Sequence, residues 1–425
     1  MKPEPLVAKP ASGHWIDAYP ELGRQPISLD DSVSVEFYEK EREHVFKKSW
    51  LYMGRVEQLP QKGCYFTREL KVLDTSILVV RGKDDSIRAF HNMCAHRGNK
   101  LVWQDDPFQE TRGQAPLLFC RFHGWRYNLD GSLIAPTRKD LLYDFDARKC
   151  GLPAIQCEVW EGFIFINLNA DNKEPVRAFL GELAHGVEGY PFSKLPKAYA
   201  FKVELNCNWK IFMDGFAEGY HTPYLHGAAL PNLEQAGNEA SNALADALAI
   251  QLKGLHRLIS WAGPPAQKSN YSTPTECVVE AGATGLWNKA DLGPLPAGIN
   301  PGRSEHWGVD SFQFFPNFVL VFWSSGCYTT HAHWPTGPHS HSFELVIYFR
   351  EPQDYKERLG QEMTVNFLND VILQDTSPLE GMQAMLNSRG ITEFHVNDEE
   401  LLVRHLHKVV ADYIHHGETQ KRGKT

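Results

Sequence analysis

The sequence predicts a chain of mixed α and β structure, β-rich in its first half and shared between strands and long helices in its second. Three observations carry this. Short alternating or wholly apolar runs crowd the stretch from Leu51 to Leu168. Two aromatic-rich runs, S-F-Q-F-F-P-N-F-V-L-V-F-W and S-H-S-F-E-L-V-I-Y-F, bring strands back after residue 310. Long helical patterns close the chain, one from about Pro352 and one from Asn397.

Taken in order, residues 1 to 30 are rich in Pro and Gly and read as an extended arm. Val35, Tyr38, Val45 and Phe46, spaced among charges between Ser34 and Trp50, predict an amphipathic helix. G-C-Y-F-T-R-E-L, T-S-I-L-V-V-R and S-I-R-A-F-H-N predict short strands, with G-K-D-D as a hairpin turn. V-W-E-G-F-I-F-I-N-L predicts a buried strand near 159–168, and Asp171 to Pro175 a linker. A helix is expected over Val176 to Gly189, then a strand over Lys197 to Leu205. Residues 227 to 310 suggest Ala-rich helical stretches followed by long loops over a pocket. N-D-E-E at Asn397 places acids in the first turn of a last helix that should stop at Gly417.

A chain of 425 residues can hold two domains and bury a full core. A net charge of −9 argues against nucleic acid as the main partner, since phosphate binding needs clustered cations. Eight cysteines in a chain this long are no disulfide framework. No apolar run approaches a membrane span, and the N-terminal stretch lacks a signal-peptide core. The expectation is a soluble, cytoplasmic protein.

The chemistry is concentrated first between Cys94 and His123. C-A-H-R-G-N-K and C-R-F-H-G-W-R-Y each supply one cysteine and one histidine (Cys94 with His96, Cys120 with His123). Two thiolates and two imidazoles are the generic ligand set of tetrahedral zinc. The mixed pairing within each arm suits a two-iron cluster better, with both sulfurs on one iron and both nitrogens on the other. Gly98 and Gly124 let the backbone turn tightly after each arm.

The second concentration is N-W-K-I-F-M-D-G-F-A-E-G-Y-H-T-P-Y-L-H, with His221 and His226 five residues apart. On an unbroken helix they would diverge, and Pro223 is expected to interrupt it and bring His226 back. Two imidazoles and a carboxylate with open positions make the facial triad of oxygen-activating iron. Glu218, one helical turn before His221, can accept an imidazole N–H, and Asp214 is the alternative acid on that face.

The flanking F-H-N-M-C-A-H-R-G and F-H-G-W-R-Y-N-L-D-G resemble the Rieske domain of the Rieske non-haem iron oxygenases, the aromatic ring-hydroxylating alpha subunit family. N-W-K followed by acid-x-Y-H-x-x-x-x-H resembles that family's mononuclear iron motif. The gap between the two arms is longer than in the family, so Gln104 to Pro116 reads as an inserted surface loop. The acid at Glu218 is more often Asp. The resemblance implies an α+β fold: a β-rich Rieske [2Fe–2S] domain inserted before a catalytic domain with a curved antiparallel sheet and helices, of the helix-grip type. The domains expected are an arm and helix over 1–45 packing with the catalytic domain, a Rieske domain over 46–170, and a mononuclear iron domain over 171–425. It implies Asp375, in V-I-L-Q-D-T-S-P-L-E-G-M-Q, as third iron ligand, with Asp370 the other candidate. Ser377, Pro378 and Glu380 also look like a helix-capping box.

By the same resemblance the chain is a terminal oxygenase, with a [2Fe–2S] Rieske cluster and a mononuclear Fe(II). It uses O2 and electrons from an NAD(P)H-dependent reductase, with a ferredoxin possible between them, and works as a homotrimer that leaves room for a beta subunit. The chain carries no Gly-rich dinucleotide fingerprint of its own. In the family the acid at Glu218 links the iron's histidine to a Rieske histidine of the adjacent subunit. Phe212, Phe216, Phe315 and Phe318, if they line the pocket, favour a hydrophobic aromatic or polycyclic substrate, as in aromatic hydrocarbon catabolism. Monooxygenation, dioxygenation and oxidative demethylation of a small organic substrate all stay open. His331, His333, His339 and His341 are expected at alternate strand positions facing solvent or an interface. The rival readings are a zinc-dependent hydrolase and an electron-transfer module.

Overall fold

The computed structural model describes residues 5–106, 109–226, 246–263 and 291–422. The chain divides into two compact units, one of residues 42–179 and one that joins 1–41 to 180–425. Among the described residues no helix is long and apolar enough to cross a membrane.

The 42–179 unit is built from short strands: β1 Leu51–Arg55, β2 Cys64–Leu70, β3 Thr75–Arg81, β4 Ile87–His91, β5 Arg112–Gln114, β6 Leu118–Phe119, β7 Arg126–Tyr127, β8 Leu133–Ala135, β9 Ala154–Trp160 and β10 Phe163–Asn167. Seven of them form one antiparallel sheet in the order β1-β10-β9-β4-β3-β2-β5, and β6-β7-β8 form a second. Ile77 to Val80 of β3 and Phe163 to Ile166 of β10 are unbroken runs of buried apolar residues, as expected of strands buried on both faces. The insertion read as a surface loop supplies β5, whose exposed residues pair with the edge of β2. An edge strand offers unpaired N–H and C=O groups to any extended segment beside it, so even a polar insertion can add a strand. Leu78, Val80, Phe90, Trp125, Tyr127 and Leu129 form a core that includes Cys94 and Cys120.

In the second unit, α1 Asp30–Val33 and α2 Val35–Lys40 precede β11 Lys197–Leu205 and α3 Trp209–Gly215. Then come β12 Ala247–Lys253, β13 His256–Ala262, β14 Trp307–Phe314, β15 Phe318–Trp323, β16 Tyr328–Gly337 and β17 Ser340–Phe349. The unit closes with α4 Tyr355–Thr376, α5 Leu379–Asn387 and α6 Leu401–Arg422. The strands form one curved antiparallel sheet ordered β11-β17-β16-β15-β14-β13-β12. Phe343, Leu345, Ile347 and Phe349 alternate along β17 and pack on Phe212 of α3, Val365 and Leu368 of α4, and Leu379 of α5. Full burial of one such side chain is worth roughly 2–3 kcal/mol. At the other edge, Ile250 and Ile259 meet Leu401 and Leu402 of α6.

Several local expectations shift. The described part of the region read as Ala-rich helix is the β12–β13 hairpin: Ala247, Ala249, Ile250, Leu252, Leu258 and Ile259 find a sheet edge to complete, and tertiary pairing overrides propensity. The expected helices within 227–245 and loops within 264–290 lie outside the described residues. The amphipathic helix after Ser34 forms as α2, with the Ser34 hydroxyl accepting from Phe37 N–H, and then widens into a π-helical stretch, Glu41–Phe46. Asn397 and Glu400 do make a reciprocal cap, but α6 runs through Gly417 to Arg422. The capping box at Ser377 is absent. Glu380 instead accepts from the Asn206 N–H at 2.8 Å, and Pro378 itself stands at the helix entrance.

Candidate metal centres

Two loops of the same construction present Cys94, His96, Cys120 and His123. In each, the cysteine carbonyl accepts from the glycine four residues on (Gly98 and Gly124, 3.0 and 2.9 Å). The cysteine N–H donates to the carbonyl five residues on, of Asn99 and Trp125 at 2.8 and 2.9 Å. Both glycines sit at positive φ, +75° and +77°, and a Cβ on Gly124 would meet Thr137 Oγ1 at 2.8 Å. The cysteines are buried, and burial, with the neighbouring Cys120, pushes the Cys94 thiol up. The imidazole rings of His96 and His123 lie 4.8 Å apart, and His96 stacks on Trp125. His96 Nδ1 is buried with no hydrogen-bond partner among the described residues.

The surroundings fit a bound cluster. The Tyr127 hydroxyl accepts from Ala95 N–H at 3.1 Å, which leaves its proton for Cys94 Sγ at 3.1 Å. Asn99 Nδ2–H points at Cys120 Sγ from 3.7 Å. Sulfurs that receive N–H and O–H donors are what an electron-rich iron–sulfur cluster needs. Tyr127 and Asn99 both lie within the two quoted ligand motifs, but residue type and spacing do not single either out as a donor to the sulfurs.

The second centre lies in the other unit. Asn208 caps α3, which buries Trp209 to Met213 and ends at Gly215. Phe216 to His221 is irregular, pinned where Gln313 Nε2–H donates to the Phe216 carbonyl at 3.0 Å. Pro223 does not interrupt a helix here. It stands in the first turn of the short helical segment Thr222–Leu225, where its missing N–H costs nothing, and His226 ends that segment. The irregular stretch lies before His221, so His221 and His226 cap the two ends of one short helical segment.

His221, His226 and Asp375 come together, one donor atom of each lying within 4.8 Å of the others. Asp375 lies in the last turn of α4 and is buried, whereas Asp370 is exposed. Asp375 Oδ1 is 2.9 Å from His226 Nε2 and 3.4 Å from His221 Nε2, yet makes no hydrogen bond. The three atoms point at a shared position rather than at one another, as ligands of one ion do. The far nitrogens are held: His221 Nδ1–H by Glu218 Oε1, and His226 Nδ1–H by Gln374 Oε1 at 2.9 Å. Burial opposes charge on His221, but Asp375 and Glu218 outweigh it and push the imidazole up to about 10. The site carries surplus negative charge that a divalent cation would offset. Gln374 is the partner the sequence reading missed. Its only signal is adjacency to Asp375.

Asp214 has a different partner. His407 Nε2–H donates to its Oδ2 at 3.0 Å, and His407 Nδ1–H donates to Asp31 Oδ2 at 2.6 Å. Nearby, Lys210 donates to Glu41 at 2.6 Å with both side chains fully buried, and Trp209 Nε1–H completes the Glu41 carboxylate at 3.1 Å.

The four phenylalanines divide. Phe212 is core, stacked on Phe216 and against Phe343. Phe216 also faces His331, at 6.0 Å. Phe315 packs on Tyr413. Phe318 pairs with Ala332 while its neighbour Val319 pairs with His331, so Phe318 points to the opposite face of the sheet from His331. The histidine run does not face outward. His331, His333 and His341 are buried on the helix-covered face, and burial drives His331 down to about 3 and His341 to about 4, so they are neutral. His339 lies at the turn beside the Val33 carbonyl, 2.9 Å away.

Comparison with known proteins bears on both centres. The family model for the ring hydroxylating alpha subunit (catalytic domain) matches residues 192–416, and that for the Rieske [2Fe–2S] domain matches residues 49–145. The glycine betaine monooxygenase oxygenase subunit of Pseudomonas aeruginosa is 32% identical over 209 residues, 49% of this chain and 46% of that protein. The chain spans about half the length of the curated relatives it matches. Among solved structures, a quaternary ammonium Rieske monooxygenase studied for carnitine oxidation covers 91% of this chain and 95% of its own, with TM-score 0.70 and 22% identity. Naphthalene 1,2-dioxygenase from Rhodococcus sp. bound to indole covers 92% and 94%, with TM-score 0.70 and 16% identity. At these identities the likeness is one of fold.

Proposed function

Because the chain belongs to the ring-hydroxylating alpha subunit family and carries a Rieske [2Fe–2S] domain, we propose that it is the terminal oxygenase of a multicomponent system. Its electrons come from an NAD(P)H-dependent reductase, directly or through a ferredoxin. Its substrate is a small quaternary ammonium compound, oxidised by monooxygenation next to nitrogen with loss of a carbon fragment. The observation that carries the reaction class is the convergence of His221, His226 and Asp375 on one position, with both distal imidazole nitrogens tied down.

When bound, the cluster supplies single electrons and the mononuclear iron supplies O2 activation. The chain's own residues do the rest. His221 and His226 present Nε2, because Glu218 and Gln374 hold their Nδ1–H groups. Asp375 is the anionic third ligand, and a three-residue set leaves positions open for O2 beside a substrate. Cys94, His96, Cys120 and His123 hold the cluster, with Tyr127 and Asn99 donating toward its sulfurs. Glu218, which also accepts from the His221 N–H at 3.1 Å, is the acid that links the iron site to the cluster of a neighbouring chain in a homotrimer. Asp214 is committed to His407 and takes no part in that link.

The substrate class is supported by the relatives named for glycine betaine and carnitine oxidation. The second reading is an aromatic substrate, favoured by the fold shared with naphthalene 1,2-dioxygenase and by Phe216 beside His331. Product mass under 18O2 separates them. Glycine betaine, carnitine and choline should each be tried against naphthalene and indole with a matched reductase. A dealkylated amine together with an aldehyde by-product, whose oxygen exchanges with water, supports the first reading, and label retained in ring hydroxyls supports the second.

A further inference from the structure

One end of the curved sheet, where β14 begins at Trp307 and β15 ends at Trp323, holds a cavity of about 460 Å³. Tyr190, Trp307, Phe322 and Trp323 contribute four aromatic side chains to its wall, and Leu292, Leu295 and Ile299 the aliphatic part. Asp291 supplies the one carboxylate of the wall, and no basic side chain lines it among the described residues. Two details show that its rings are fixed. Trp307 Nε1–H donates to Asp310 Oδ1 at 2.9 Å, and Tyr190 packs on Phe322 at 4.7 Å. Trp323 Nε1 is buried and has no hydrogen-bond partner among the described residues.

None of these residues belongs to the proposed metal sites. Val319, Val321 and Trp323 share one face of β15, and Val319 pairs with His331, which feels the charge of Asp375. Four residues along a strand put Trp323 roughly 13 Å from the His331 row, while Phe322 points to the opposite face with Phe318, so the cavity wraps the end of the sheet. It is a separate place beside the proposed reaction centre.

The chemistry of the wall selects its ligand. Aromatic faces attract cations through their quadrupole, and a carboxylate adds charge attraction. A bare ammonium is strongly hydrated, and Asp291 and Ser324 are among the few side-chain acceptors this largely apolar wall offers it. An ammonium whose charge is spread over methyl groups loses little water and meets the rings directly. An anion meets the Asp291 carboxylate and, among the described residues, no basic side chain there. We propose that the cavity is a holding site for a methylated ammonium cation, distinct from the position beside the iron. The identity of the natural ligand rests on the quaternary ammonium reading above. The site itself rests on the wall.

The test uses cluster- and iron-loaded protein titrated with tetramethylammonium chloride at constant ionic strength, followed by calorimetry and tryptophan fluorescence. Asp291 is exposed, so Asp291→Asn and Asp291→Lys should fold. Asp291→Asn should weaken binding by about fivefold, the upper scale of one exposed charge contact, and Asp291→Lys should remove the binding. Choline should bind at least about tenfold more tightly than its uncharged isostere 3,3-dimethylbutan-1-ol, because only the cation gains from the rings and the acid. Equal binding of the isostere, or wild-type tetramethylammonium affinity in Asp291→Lys, would overturn the inference. Turnover of uncharged substrates alone, with Asp291-dependent cation binding intact, would sink the proposed substrate class and leave the cavity standing. Turnover of a quaternary ammonium compound with Asp291-independent binding does the reverse.

Discussion

Asp214→Asn distinguishes the two acids that compete for a role beside His221. Asp214 and Asp31 flank His407, and although burial works against a charged imidazole, the two carboxylates push it up to about 10. His407 is therefore a buried cation at neutral pH, and the substitution removes one of its two counter-charges. Breaking a buried ion pair costs about 3–5 kcal/mol, and because Asp31 remains we expect the lower end, about 3 kcal/mol. The unit holding the pair has roughly 290 residues, so an unfolding entropy of about 2.1 cal/mol/K per residue gives ~0.6 kcal/mol/K. Tm should fall by about 5 °C. Scanning calorimetry measures this, and stopped-flow reoxidation of the reduced cluster with substrate and O2 measures the functional side. Asp214→Asn should lose stability and keep its reoxidation rate. Glu218→Gln should keep its Tm and slow reoxidation by about 100-fold, the scale on which losing a positioning group acts. If Asp214→Asn melts with the wild type and reoxidises as slowly as Glu218→Gln, the commitment of Asp214 to His407 is wrong.

Other outcomes follow from the same contacts. Asp375→Ala should lose mononuclear iron by metal analysis while the cluster's visible spectrum stays, whereas Asp370→Ala should keep both. Tyr127→Phe removes a hydrogen bond at Cys94 Sγ. Losing a donor worth about 1 kcal/mol more to the reduced cluster should lower its potential by about 40 mV for one electron, read by spectroelectrochemistry. Lys210→Met leaves Glu41 buried without its cation and should cost about 3–5 kcal/mol in denaturant unfolding, most of it recovered when Glu41→Gln is added. His407 is raised from 6.5 to about 10 on folding, so its stabilisation is complete below pH 6.5 and is lost as pH rises toward 10. The fall in Tm between pH 7 and 9.5 should shrink in His407→Gln.

The candidate sites were legible in the sequence because Cys/His and His/His clusters stand out by residue type and spacing. Cys94 to His123 could be read without the fold, and so could His221 and His226. What escaped was set by distant partners. Pro223 looked like a helix breaker, but the chain was already irregular from Phe216, held by Gln313 from the sheet. The alternating histidines of β16 looked like a solvated face. Only the sheet order reveals that helices cover that face and strip the rings of charge. The β12–β13 hairpin looked helical because alanine favours helices and the neighbouring edge of β14 is invisible in a local window. For Phe318, one of the four candidate pocket phenylalanines, parity decides. Phe318 and Val319 are one residue apart, and that single step decides which side of the sheet a side chain serves.

The Asp31–His407 contact joins residues 376 positions apart, and this has a consequence for the nascent chain. At about 5–20 residues per second on the ribosome, the carboxylate emerges roughly 20–75 seconds before its imidazole exists. The cluster-binding segment, by contrast, is contiguous and complete as soon as residue 179 clears the exit tunnel. The order of birth is thus imposed by connectivity. The electron-carrying half is able to fold during translation, whereas the oxygen-handling half must keep its first 41 residues waiting until its final helix arrives.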